Sequence, residues 1–311
     1  MTVATEDLVD SASIAAASTK RKSLWLVALR NPMVIIGGSI LLIMLAIAVL
    51  APLLGTVDPT RIDPASRNKK PGTEITMRLD DGQTVKRVAI MGTDSRGRDV
   101  YSRVIYGTRV SLAVGAAVAL ISIAIGVVIG LISGYIRWLD GIIMRIMDGL
   151  MAIPSILLAI ALITLARPGL GIVIVAIIIP EVPRVVRVVR SVVLSIRSQP
   201  YIESAIAGGT KNMKLLLRHV LPNTLAPLIV QSTYVCASGM LIEASLSFLG
   251  AGVPLEVPSW GNIISQGKTF FQIAPWTIMI PGAFLAVTVL AVNLLGDGLR
   301  DRLDPRLARR L

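Results

Sequence analysis

One cysteine and one histidine stand in a chain of 311 residues. Cys236 has no second thiol to pair with, and one imidazole, His219, cannot build a histidine-rich metal site. The cysteine falls inside an apolar run, so it reads as a packed core thiol. Charge is also scarce: 16% of residues are Asp, Glu, Lys or Arg, where a soluble chain has about a quarter. Aromatic residues make up 4%, too few to interleave with basic side chains in a nucleic-acid groove, so the net charge of +12 is not assigned to nucleic acid. No G-x-S-x-G elbow and no H-E-x-x-H occurs. The nearest approach to a phosphate-binding loop, Gly261 to Gly267-Lys268-Thr269, has five residues between its glycines where four are needed.

What the chain has in abundance is apolar sequence. Hydrophobic residues make up 54% of it, gathered into runs near the ~20 residues that cross a bilayer core. The runs predict spans near 33–54, 110–135, 147–166, 169–188, 225–249 and 276–296, hence an all-α integral membrane protein with six transmembrane helices and lipid as its surroundings. The fourth is the shortest in its uncharged part. It runs through Pro180-Glu181-Val182-Pro183 into Arg184, Arg187 and Arg190, three residues apart on roughly one face. At the cytosolic end of a span such side chains reach headgroups.

The first residues are mostly polar and end in Lys20-Arg21-Lys22 and Arg30, too far along for a secretory signal. They read as a cytoplasmic tail, 1–32, before an uncleaved span. The expected organisation continues with an extracytoplasmic loop at 55–109 and a five-helix core at 110–298, ending in a cytoplasmic tail at 299–311. With both termini inside, the inner segments carry the larger share of the 31 Lys and Arg residues. The outer remainder lies mostly in one long loop, where the positive-inside rule is weak.

Three features are candidates for more than spanning. Gly126, Gly130 and Gly134 form a stripe that admits close helix packing, either within this subunit or at a dimer seam. Glu243 and Glu181 are carboxylates within or beside spans, with Asp148 and Asp297 at span edges. Glu243 reads as a polar contact to a neighbouring helix or as part of a substrate path. A stand-alone ion-coupled carrier would use both glutamates for protons. The third feature is YIESAIAGGTKNMKLLLRHVLPN, residues 201–223, a charged segment between two apolar ones. Its apolar residues fall at three- and four-residue spacings, while Lys211, Lys214 and Arg218 follow another face. Gly208-Gly209 predicts two short helices joined by a turn, with Pro222 closing the second before the fifth span. An interfacial helix on anionic lipid fits that pattern by itself.

Glu203, Ala205, Gly209, Leu221 and Pro222 match in spacing the E-A-A, Gly, I-x-L-P loop of bacterial ABC-importer permeases, with Ser204 and His219 as departures. GTDSRGRDVYSRVIYGTRVSLAVG (92–115), SFLGAGVPLEVPSWG (247–261), NLLGDGLRDRLDPR (293–306) and Arg30-Asn31-Pro32 resemble the branch that imports dipeptides, oligopeptides and nickel, as its C-type permease. The resemblance implies the type I importer permease fold in the bacterial cytoplasmic (inner) membrane. It implies a coupling loop at 195–223 in which Glu203, Ser204, Ala205, Gly209, Leu221 and Pro222 dock a cytosolic ATPase pair. Ile206 and Leu216 would enter a groove on that ATPase. A second homologous permease subunit and an extracytoplasmic substrate-binding protein complete the implied assembly. Gly92, Thr93, Asp94, Gly97, Arg98 and Asp99 are the outer-side family motif, and 92–109 with 250–261 would receive the binding protein. No cofactor is implied on this chain, and it is expected not to be an enzyme; ATP and magnesium belong to the ATPase partners.

Overall fold

The computed structural model describes residues 31–78, 84–165 and 169–303. Most of both expected tails, Arg167, and the end of the 293–306 motif lie outside the described residues.

Helix α1 (Pro32–Leu50) starts where Asn31 accepts from the Met33 amide at 2.9 Å and Pro32 supplies a pre-set φ at the first turn. It packs along the last helix, α10 (Trp276–Leu303), at glycines: a Cβ on Gly37 would lie 2.6 Å from the Ala291 carbonyl oxygen. After a 3₁₀ turn at Ala51–Leu53, the insert at about 60–90 contains a two-stranded antiparallel hairpin, β1 (Thr73–Arg78) and β2 (Thr84–Ala89), in register Thr73↔Ala89 through Arg78↔Thr84. The otherwise all-helical fold thus carries one small sheet. Ile75 and Ala89 bury against Val57 to hold it.

Helix α2 runs from Val100 to Tyr135, so its first turns take up the end of the segment expected as loop. The third predicted span, 147–166, is not one rod. It is α3 (Arg137–Ala152) and α4 (Ser155–Thr164), bent by 88°. Pro154 has no amide hydrogen and drives Ile153 into extended backbone, φ −89° and ψ 129°, which breaks the helix.

Helix α5 (Leu170–Arg197) continues through Pro180 and Pro183 well beyond the predicted end of the fourth span. Its arginines have acidic partners within the bundle. Arg187 donates to Asp148 at 2.5 Å, and Arg190 grips Asp140 at 2.5 and 2.6 Å, both acids on α3.

The glycine stripe of α2 lies against α5. A Cβ on Gly130 would sit 2.6 Å from Val189 Cβ and one on Gly134 2.7 Å from Val193 Cβ, while Gly126 meets Val185. Both sequences repeat every four residues, so small residues on one helix take branched residues of the other along one seam. The stripe is packing inside the subunit.

Helices α6 (Pro200–Ala207) and α7 (Asn212–Leu215) come next, then a π-helical turn at Leu216–Val220 that runs directly into α8 (Leu221–Phe248). Pro222 therefore does not close a helix. It occupies the first turn of α8, directly after the π-helical turn. A short helix α9 (Trp260–Gly267) precedes α10. The glycines that resembled a phosphate loop bound this helix, and Lys268 Nζ donates to the Phe248 carbonyl at 3.1 Å. Among the described residues four segments are long and apolar enough to cross a membrane, or five if the bent α3–α4 pair counts as one span; α5 packs among them with its paired arginines.

Candidate functional site

The segment from Pro200 to Asn223 is held at its two ends and presented in its middle. Ile202, Leu215 and Val220 are buried and face the core, which fixes α6 and α7 on the helical bundle. Glu203, Ser204, Ile206, Gly209 and Pro222 are exposed; Ala205 and Leu221 are half-buried. Ser204 Oγ donates back to the Pro200 carbonyl at 2.9 Å.

The turn between the helices depends on Gly209. Its φ is +75°, a left-handed backbone that non-glycine residues adopt at a cost. The amides of Gly208, Gly209 and Thr210 return to the carbonyls of Ser204, Ile206 and Ala205 at 2.9 to 3.0 Å, closing α6. Beyond the turn, Lys211, Met213, Lys214, Leu217 and Arg218 line an open cavity of 610 Å³. Three cations there surround two apolar side chains.

Leu216 does not belong to that surface. It packs against the core cluster, while Met213 and Leu217 are the exposed apolar residues, four apart on one face. Their i, i+4 spacing was present in the sequence. His219 is half-buried, and its carbonyl accepts from Asn223 Nδ2 at 2.6 Å. The surface is tied to the long helices by Tyr135, the last residue of α2. Its hydroxyl meets Asn212 Oδ1 at 2.6 Å, and Arg197 lies 5.8 Å over its ring.

At the other end of the bundle, Gly92 to Asp99 form one tight, fully bonded unit. Asp94 Oδ2 receives Arg98 Nε at 2.7 Å, and Oδ1 receives the Arg96 and Arg98 amides at 2.8 and 2.9 Å. Burial pulls the Arg98 guanidinium below its ordinary pKa, and Asp94 opposes that shift. Arg98 also reaches Gln266 of α9. Asp99 caps α2, accepting from the Ser102 amide at 3.1 Å and its hydroxyl at 2.5 Å. Thr93 receives the Lys69 amide at 2.8 Å and its carbonyl accepts from Trp276 Nε1 at 3.1 Å. Gly92 and Gly97 have φ of +76° and +79°. Added side chains would strike Lys69 and Trp276 at the first and Asp63 at the second. The six residues thus lock the first loop to α2, α9 and α10.

Glu243 is 1% exposed, and its Oε1 accepts from Ser247 and Ser259 hydroxyls, each at 2.8 Å. Ser259 also caps α9 through the Asn262 amide, and Asn262 Nδ2 bonds the Val253, Pro254 and Val257 carbonyls at 2.8 to 3.0 Å. The carboxylate therefore organises the loop 250–259. Glu181 is fully buried, and its Oε1 accepts from Arg184 Nη1 at 2.7 Å and Ser238 Oγ at 2.9 Å. Among the described residues no cluster of three or more His, Cys, Asp or Glu could hold a metal ion.

A multi-pass helical bundle with a charged helical pair emerging between two long helices, and a locked loop at the opposite end, is the architecture of a membrane permease. The chain belongs to the family described as the binding-protein-dependent transport system inner membrane component, matched over residues 126–309, and residues 21–71 match the N-terminal transmembrane domain of oligopeptide transport permease C. It is therefore a multi-pass inner membrane protein of the ABC importer permease class. Among its relatives, the probable peptide ABC transporter permease protein y4tQ of Sinorhizobium fredii is 54% identical, covering 91% of this chain and 92% of that one. The dipeptide transport system permease protein DppC of Alkalihalophilus pseudofirmus is 40% identical over 89% and 87%. Inward-facing structures of the MetNI methionine ABC transporter share the fold, with a TM-score of 0.55 at 21% identity over 64% of this chain and 95% of that one. The type I permease fold is thereby shared.

Proposed function

We propose that this chain forms one half of the translocation pathway of an ATP-driven importer of dipeptides or oligopeptides. It pairs with a second, homologous permease, and a cytosolic ATPase pair that binds ATP and magnesium docks on residues 200–218. The observation that carries this reading is the exposed surface of that segment: Glu203, Ile206, Met213 and Leu217 with Lys211, Lys214 and Arg218. An anchored helical pair with apolar knobs and flanking charges suits insertion into a groove on a moving partner. The peptide substrate is supported by the names of the relatives. Glu203, Ser204, Ala205, Gly209, Leu221 and Pro222 make or shape the docking surface, both termini lie in the cytoplasm, and a binding protein docks near 92–109 and 250–261 on the outer side.

ATP closure of the partner pair pulls α6 and α7, and the continuous path through the π-helical turn into α8 carries that motion across the membrane. The test is reconstitution of the complete transporter in proteoliposomes, reading ATP-dependent peptide uptake and ATPase capture together. Glu203→Lys and Gly209→Asp should leave insertion intact and lower both readouts by roughly tenfold or more, the scale of a lost charge-assisted contact or of backbone strain at φ > 0. Full capture of the ATPase and normal uptake in both variants refutes the docking role. Uptake by the isolated chain, driven by a proton gradient, refutes the importer reading.

A further inference from the structure

The break between α3 and α4 leaves a cavity of 330 Å³, walled by Leu150, Ile153, Ile156 and Pro180 and carrying two polar groups, Ser155 and Arg184. That volume lies in the range of small-ligand sites, which are mostly apolar with a few placed polar groups. Arg184 stands near the midpoint of α5, roughly 20 Å from either end at 1.5 Å per residue. Its Nη1 is fixed by Glu181 at 2.7 Å, and Glu181 is itself held by Ser238 of α8 at 2.9 Å. The Arg184 side chain is 35% exposed, and its other donors have no partner among the described residues. The guanidinium is thus oriented by one contact and left with most of its hydrogen-bonding capacity open.

The start of α4 adds donors to the same space. Pro154 at the N-cap offers no side-chain cap, the first turn has no acidic residue, and the first intrahelical bond is from the Leu158 amide. The N–H groups of Ser155 and Ile156 therefore carry the positive end of the helix into the cavity that Arg184 enters from α5. A discontinuous membrane helix with a free N-terminus, facing a half-engaged guanidinium, favours one negative group. Apolar walls beside it suit an adjoining aliphatic or backbone portion.

We propose that this cavity is a carboxylate subsite for the transported solute, which rests on the peptide-importer reading and identifies the peptide's C-terminal carboxylate as the group received. Arg184 supplies a charge-assisted bond, and the α4 N-terminus with the Ser155 hydroxyl supplies the rest. The Glu181–Ser238 contact links the subsite to α8, the helix that continues from the ATPase-docking segment.

The experiment is saturation-transfer NMR on the complete permease–ATPase complex in nanodiscs, without the binding protein, using dialanine and its C-terminal amide as probes. Dialanine should give a signal that acetate displaces, and the amide little or none. Arg184→Gln should weaken dialanine by about tenfold, the equivalent of one charged hydrogen bond. Because that variant leaves Glu181 unpaired, Ser155→Asp is the second: it places a competing carboxylate in the cavity, keeps the ion pair, and should also abolish the signal. Equal signals for both probes, or a dialanine signal unchanged in both variants, overturns the subsite. The same complex, reconstituted in proteoliposomes, is assayed for ATP-driven uptake with its binding protein. Uptake without carboxylate-dependent binding sinks the subsite alone, and binding without uptake sinks the importer reading.

Discussion

Glu243 shows how one buried carboxylate is decided by its neighbours. Both hydroxyls it accepts belong to positions that shape the outer loop, one on its own helix and one capping α9. Glu243→Ala would leave Ser247 and Ser259 buried without an acceptor, a cost of about 1–3 kcal/mol. A lower melting temperature of the purified chain in detergent is expected. Glu243→Gln keeps an acceptor oxygen and should melt close to wild type, with transport retained. A proton relay through this position would lose transport in the glutamine variant while keeping its stability, so the pair of measurements separates the two roles. Gly209 is decided by backbone instead, since an added Cβ would meet no neighbouring atom within 4 Å. Gly209→Val therefore costs about 1–2 kcal/mol through its left-handed φ, and the loss should appear in the local order of the turn and not in core packing.

At the scale of elements, the sequence carried most of the long helices because apolar runs of span length have few other uses. It misplaced the breaks. Pro154 and Pro222 are the same residue type with opposite outcomes. Pro154 stands after a residue free to go extended, so the helix ends there; Pro222 enters on a π-helical turn whose wider loop leaves it in a first-turn position. Whether a proline breaks or starts a helix depends on the carbonyls before it, which composition does not reveal. The Gly126, Gly130 and Gly134 stripe was legible as a close-packing surface, but its partner was not, since branched residues at four-residue spacing also suit a lipid face. With Val185, Val189 and Val193 now opposite it, Gly130→Val forces two side chains into one place. Overpacking of that kind costs about 1–3 kcal/mol. The variant should melt lower, and Val189→Ala in the same chain should restore part of the loss; additive losses would show that the seam is not shared. The candidate site was legible as spacing, from Glu203 to Gly209 to Pro222. Which apolar side chains it presents was not, because Met213, Leu216 and Leu217 share a similar spacing and only tertiary packing decides that Leu216 meets the core while the other two are exposed.

The whole molecule places its two locked regions at opposite ends of uninterrupted helices. Residues Asn212–Phe248 form one continuous apolar-capable helical path; one end bears the proposed docking surface and the other holds Glu243 and the α9 cap. Tyr135 makes α2 a second strut, joined to Asn212 at one end and capped by Asp99 at the other. The coupling proposed along this path requires the π-helical turn to stay in register. Deleting the exposed residue Leu217 should convert that turn to an ordinary helix and rotate everything before it by roughly 100° relative to α8. Lys211, Met213 and Lys214 would then leave the docking face although none has been changed. The reconstituted transporter should lose stimulation of ATP hydrolysis by the binding protein, while the chain still inserts and the α2–α5 seam keeps its thermal stability. Restoring the length with alanine at the same place should recover most of the stimulation, because register and not the leucine side chain carries the coupling. If the deletion leaves stimulation intact, transmission does not run through α8. If alanine fails to restore it, the apolar contact of Leu217 with the ATPase is the part that matters.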